Sequence, residues 1–199
     1  MANWMKTPEL IAATLKVTEA LEKLNVPHFI VGSLASTLHG MVRTTQDSDL
    51  LAALSSEHLP DFVRALEADF FIDQQMVETA ISQKASFNIV HRASMFKVDI
   101  FVTDQGPFDT AQLERAQRET LVPDTSIEAF VATAEDTILS KLNWYKMGGE
   151  TSERQWRDIL GILKVQQDQL NQDYLHKWAS ELRISDLLER ALKEAKTSP

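Results

Sequence analysis

The stretch HFIVGSLASTLHGMVRTTQDSDLLAAL, residues 28–54, decides how the chain is read. His28-Phe29-Ile30-Val31 is a short apolar run that ends at Gly32, and Ser33 to His39 reads as a helix opening on a serine N-cap. A strand-to-helix turn of this kind aims backbone N–H groups at an anion, and glycine lets a phosphate approach the main chain closely. The Ser33 hydroxyl adds a further contact to the same phosphate. Asp47 and Asp49 stand at the entrance of a second strand-like run, Asp49 to Leu54. Side chains at i and i+2 of a strand share a face, so these carboxylates can share one cation or hold two neighbouring ones, with Ser48 turned the other way.

A third acidic residue, Asp99, lies in the strand-like run Phe96-Lys97-Val98-Asp99-Ile100-Phe101-Val102 and can close the cluster. Small hard cations such as Mg²⁺ prefer oxygen ligands, and a nucleoside triphosphate needs them to offset phosphate charge during attack. Three like charges brought together also destabilise a fold unless cations compensate. The expected ligands are therefore Mg²⁺, with Mn²⁺ as the alternative, and a nucleoside triphosphate.

At these residues the chain resembles the nucleotidyltransferase superfamily with a polymerase-beta-like core. That pattern is Gly followed by Gly or Ser, a short gap, Asp-x-Asp or Asp-x-Glu, and a carboxylate on a later strand. Gly32, Ser33, Asp47, Asp49 and Asp99 fill every slot, while Ser48 stands where the family usually has an apolar residue. Within the superfamily the chain is similar to AbiEii/AbiGii toxin-like nucleotidyltransferases, which carry a lysine and then an Arg-Asp-containing helix; those positions are Lys141 and, after Arg157, Asp158. The resemblance implies a mixed β-sheet with flanking helices followed by a C-terminal helical bundle, an α/β (α+β) fold. It implies transfer of a nucleoside monophosphate to an acceptor hydroxyl on an RNA end or a protein, in a toxin–antitoxin or phage-defence setting with a cognate partner. Catalysis and metal binding fall to Asp47, Asp49 and Asp99. Nucleotide contacts fall to Gly32, Ser33, Arg43, Lys97, Lys141 and Asp158. Two alternatives stay open: a nucleotidyltransferase-like antitoxin or regulatory module with little catalysis, and nucleotidylation of a small molecule.

The 199 residues suffice for one domain or two small ones, and the expected division is a catalytic core over 1–132 and a helical region over 133–199 that walls one side of the cleft. Cysteine is absent, which removes disulfides and thiolate metal sites and suits a reducing cytoplasm. The opening Met1-Ala2-Asn3-Trp4-Met5-Lys6 carries no leader pattern and no run is long enough for a membrane helix, so a cytoplasmic protein is expected. A net charge of −9 argues against broad affinity for nucleic acid and confines any RNA acceptor to a local basic patch.

Elsewhere, Thr7-Pro8-Glu9 starts a helix over about 8–24, and Leu59, Phe62, Val63 and Leu66 mark another. A short helix follows at Gln75–Lys84, then paired strands at 86–91 and 95–102 and strand segments at 119–122 and 127–131. Thr133 to Asp136 resembles a capping box, and helical spacing continues to Lys196 with a break at Gly148-Gly149. Arg43 either grips a triphosphate or faces solvent, and Lys97 either contacts phosphate or neutralises the acidic cluster. Lys141 either reaches phosphate or snorkels from the stripe of Ile138, Leu142 and Tyr145, and Asp158 is also placed to pair with Arg154. Trp144, Tyr145 and Trp156 read as core before they read as base-stacking platforms. His39 and His91 are left outside the site.

Overall fold

A computed structural model describes residues 8–41 and 45–197, which form two compact units: 8–33 with 45–131, and 34–41 with 132–197. The first unit is built on a seven-stranded mixed sheet. Its opening helix, α1 (Glu9–Lys23), follows Pro8, buries Leu10, Ala13, Val17, Ala20 and Leu21 along one stripe, and ends where Asn25 takes a positive φ before Pro27. Then come β1 (His28–Val31), β2 (Asp47–Ala52), α3 (Leu59–Leu66), β3 (Phe70–Phe71), α4 (Gln74–Gln83), β4 (Ser86–His91), β5 (Lys97–Val102), α5 (Pro107–Arg115), β6 (Gln117–Thr120) and β7 (Glu128–Val131). The helix between β1 and β2, α2 (Gly32–His39), starts in the first unit and continues into the second.

The strand order is β3-β4-β5-β2-β1-β7-β6. β2 runs antiparallel to β1 and parallel to β5, while β7 runs parallel to β1. β4 to β5, β3 to β4 and β6 to β7 are antiparallel pairs. Along β2 and β5 burial alternates strictly: Ser48, Leu50 and Ala52, like Val98, Ile100 and Val102, are buried, and the residues between them are half-buried. The buried face receives α1, since the hydroxyls of Thr14 and Ser48 hydrogen-bond at 2.8 Å with both residues buried. That pair explains why a serine is accommodated inside the core: its hydroxyl is satisfied there. Asp47, Asp49 and Asp99 therefore lie on the face of the sheet away from α1. Phe62 packs edge-on against Phe87 with ring centroids 6.1 Å apart, and each such buried aromatic or aliphatic side chain contributes about 1.5–3 kcal/mol.

The second unit is helical. α6 (Ala134–Met147), α7 (Glu153–Gln166), a 3₁₀ turn (Gln167–Gln169), α8 (Gln172–Glu181) and α9 (Ser185–Thr197) surround Ile138, Leu139, Leu142, Ile159, Ile162, Leu175, Ile184 and Leu188. Side chains cap three starts: Thr133 accepts from the Asp136 N–H at 3.2 Å, Ser152 from Gln155 at 3.3 Å and Asn171 from Tyr174 at 3.0 Å. The Asp136 carboxylate is fully buried and accepts from the Thr133 and Tyr174 hydroxyls, each at 2.7 Å. Tyr145 and Trp156 stack at 5.2 Å within this core, and Arg190 covers Trp156 at 4.3 Å, so both rings are packing residues. Trp144 is 48% exposed.

The architecture is the expected mixed sheet with flanking helices and a C-terminal helical bundle. Several element boundaries differ from expectation. β2 begins at Asp47 rather than Asp49 and stops at Ala52, because from Asp47 onward every residue through Ala52 has a register partner on β5. The strand expected at 119–122 begins two residues earlier, at Gln117. α5 and the two-residue β3 were not foreseen. By contacts, the segment from Leu34 clusters with the C-terminal helices. Among the described residues no helix is long and apolar enough to cross a membrane.

Candidate active site

Parallel in-register pairing is what assembles the acidic face. β2 and β5 place Asp47 opposite Lys97 and Asp49 opposite Asp99, so four charged side chains occupy a two-by-two block on one face of adjacent strands. Asn88 pairs with Asp99 on the other side, through β4, and extends the polar surface. Asp47, Asp49 and Asp99 are all half-buried.

Each carboxylate has an internal partner. Lys97 Nζ lies 2.8 Å from Asp99 Oδ2. Thr45 Oγ1 lies 2.9 Å from Asp47 Oδ1 and 3.0 Å from the Asp47 carbonyl. The Ser33 N–H donates to Asp49 Oδ2 at 3.3 Å. The hydrogen bond to Asp99 raises the Lys97 ammonium above its ordinary 10.5; burial opposes this, and the charges of Asp99, Asp47 and Asp49 add to it. The lysine thus feels all three carboxylates.

Gly32 joins β1 to α2 at φ +62°, a conformation that disfavours side chains, and an added Cβ would fall 2.1 Å from Asp49 Oδ2. The close approach that requires glycine is therefore made by Asp49 itself, across the β1–β2 pair in which Val31 faces Asp49. The backbone N–H at the start of α2, expected to meet phosphate, meets this carboxylate.

The donor set is oxygen throughout and suits a hard divalent cation. As the side chains stand, among the described residues no group of three or more His, Cys, Asp or Glu is placed to hold a metal ion. The backbone register already sets Asp49 beside Asp99 on neighbouring strands, so gathering them takes side-chain rotation and exchange of internal partners. On that donor chemistry the residues fit Mg²⁺ or Mn²⁺.

Of the other residues singled out in the sequence, Arg43 lies outside the described residues. Lys141, on α6, donates to Asp158 Oδ2, on α7, at 2.9 Å, and the two side chains are only 10% and 9% exposed. His39 Nε2 lies 2.6 Å from the Ala132 carbonyl, and His91 Nδ1 2.8 Å from the Ser94 hydroxyl. Thr45 was missed by the sequence reading; the signal for it is a hydroxyl two residues ahead of an acidic residue entering a strand.

No protein-family model matches the sequence, and no curated protein matches it. Solved structures do match its fold. A nucleotidyltransferase-like antigenic protein from Paracoccidioides brasiliensis superposes with a TM-score of 0.54 at 18% identity, over 94% of each chain. The antibiotic-resistance factor ANT(2'')-Ia superposes with a TM-score of 0.53 at 10% identity, over 90% of this chain and 94% of that one. The same factor in complex with adenylyl-2''-tobramycin gives 0.54 at 12% identity, over 88% and 98%. The chain has a nucleotidyltransferase-type fold.

Proposed function

From the premise of a nucleotidyltransferase-type fold, we propose that this protein is a metal-dependent nucleotidyltransferase, moving a nucleoside monophosphate from a nucleoside triphosphate to an acceptor hydroxyl with release of pyrophosphate. The observation that carries this reading is the in-register pairing of Asp49 with Asp99, with Asp47 two residues away on the same face and the Gly32 turn beside it. Asp47, Asp49 and Asp99 would hold Mg²⁺ or Mn²⁺. When bound, the cation offsets the charge of the phosphates and of the leaving pyrophosphate. The protein's own part is positional. Gly32 leaves room for an approach no side chain permits, the Ser33 N–H is a donor at the start of α2, and Thr45 steadies Asp47. Asp99, the farthest of the three along the sequence, is assigned to the acceptor, where its carboxylate takes the proton of the attacking hydroxyl. Lys141 and Asp158 are assigned to the nucleotide by the resemblance to AbiEii/AbiGii toxin-like proteins. That resemblance also supports an RNA or protein acceptor and a cognate toxin or antitoxin partner.

A second reading, a small-molecule acceptor, is supported by the likeness to ANT(2'')-Ia, one of whose structures holds adenylyl-2''-tobramycin. Incubation with each α-³²P-labelled nucleoside triphosphate, Mg²⁺ and separated RNA, protein and small-molecule fractions of a lysate tests both readings. Label in one fraction with wild type, and in none with Asp47→Asn, supports the transferase and identifies the acceptor class. No label with any nucleotide in any fraction contradicts it.

A further inference from the structure

Lys97 is the one charged side chain of the acidic block that opposes the others. It is bonded to Asp99, sits directly across from Asp47 and is attracted by Asp49 as well. It is also 43% exposed on a flexible four-carbon stem, so it can leave Asp99 without breaking packing, whereas Asp99 is 20% exposed. An ammonium and a divalent cation cannot share one carboxylate at contact distance without strong mutual repulsion.

Resting on the nucleotidyl-transfer reading, we propose that Lys97 is a built-in counter-cation: it holds Asp99 while the acidic face is metal-free, yields that carboxylate to a divalent cation, and thereby sets the cation concentration at which the site assembles. The displaced ammonium then has a natural anion in the incoming triphosphate, which makes cation and nucleotide binding mutually reinforcing. Both roles weighed for this lysine, neutralising the cluster and contacting phosphate, become successive states of one side chain. Toward the cation Lys97 acts through Asp99 and is a positioning residue; its contact with the triphosphate is its second state.

The test compares wild type with Lys97→Met and Lys97→Arg, using Mn²⁺ as the probe, free Mn²⁺ counted by electron paramagnetic resonance, with and without a non-hydrolysable nucleoside triphosphate analogue. Without nucleotide, Lys97→Met is expected to bind Mn²⁺ on the order of tenfold more tightly than wild type, the effect of removing one partly solvated positive charge at contact distance. Adding the analogue should tighten Mn²⁺ binding more in wild type than in Lys97→Met. In thermal unfolding, metal-free Lys97→Met should melt below wild type and recover with Mn²⁺, while Lys97→Arg, which keeps the charge, should track wild type in every readout. Lys97→Gln repeats the comparison with a polar neutral side chain. Equal Mn²⁺ affinity in wild type and both neutral variants, or a Lys97→Arg that behaves like Lys97→Met, overturns the proposal about Lys97 and leaves the transferase reading standing. Failure of every protein to bind Mn²⁺, with or without the analogue, overturns both.

Discussion

Gly32 shows how a single position can be constrained from two directions. Its φ of +62° costs an L side chain about 1 kcal/mol, and its missing Cβ is what lets Asp49 reach the backbone at the start of α2. Gly32→Ala should therefore lower the unfolding free energy by at least about 1 kcal/mol in denaturant titration and should also displace Asp49, cutting transfer. A variant with full activity would show that the Asp49 approach is incidental. Asp49→Asn, by contrast, should leave the circular dichroism spectrum and melting temperature near wild type while transfer falls on the order of 100-fold or more. That Asp47 and Asp49 share one face, and Lys97 and Asp99 another strand's, could be read from the chain because alternation along a strand follows from the backbone alone. The partners of Asp47 and Asp49, Thr45 and the Ser33 N–H, depend on where turns bring the main chain back, and alternation says nothing about that.

At the scale of the element, β1 and the α6–α7 pair each carry a buried ionisable group outside the acidic face. His28 on β1 directs Nδ1 to the Val26 carbonyl at 2.8 Å, which makes Nδ1–H the donor, while its Nε2 is buried without a hydrogen-bond partner. Burial lowers its pKa below the ordinary 6.5, the nearby carbonyl opposing this. A depressed folded pKa favours the neutral ring, so its contribution to stability is complete above pH 6.5 and is lost as pH falls through the folded value. The melting temperature should drop on that acid limb, and His28→Phe should make the limb shallower; parallel limbs would contradict the assignment. Between α6 and α7, Lys141→Ala takes the ammonium from the nearly buried Asp158 and should cost about 3 kcal/mol in urea titration, whereas Lys141→Met with Asp158→Leu should cost far less. Where nucleotide contact is the main role of Lys141, the same single variant raises KM for the triphosphate in refolded, folded protein.

Elements with a strong period were legible in the sequence: α1, β1, β4, β5 and the helices after Thr133. α5 was not, because Gln112 is its only buried residue and it presents no apolar stripe. Nor was the order of the strands. The parallel pairing of β2 with β5, which brings Asp49 beside Asp99, joins segments about fifty residues apart, and local spacing carries no information on such a pairing.

For the molecule as a whole, the nucleotidyltransferase-type fold was readable from a handful of residues even though identity to matching structures is only 10–18%. Under the proposed function the turn and the acidic strands answer to what phosphate and hard cations require, while the remaining surface answers to packing that many sequences satisfy. The proposed acceptor was not readable, because acceptor choice depends on surface shape for which the sequence carries no motif. With a net charge of −9, any RNA acceptor would have to be met by a local basic surface, so added salt should weaken RNA binding. The central claim is that these carboxylates direct attack at the α-phosphorus. Its most direct measurement is parallel incubation of wild type and Asp49→Asn with α-³²P- and γ-³²P-labelled triphosphate, Mg²⁺ and the acceptor fraction. Wild type alone should put α-label on the acceptor and γ-label in pyrophosphate; γ-label on the acceptor, or equal α-labelling by Asp49→Asn, would contradict this role for the carboxylates.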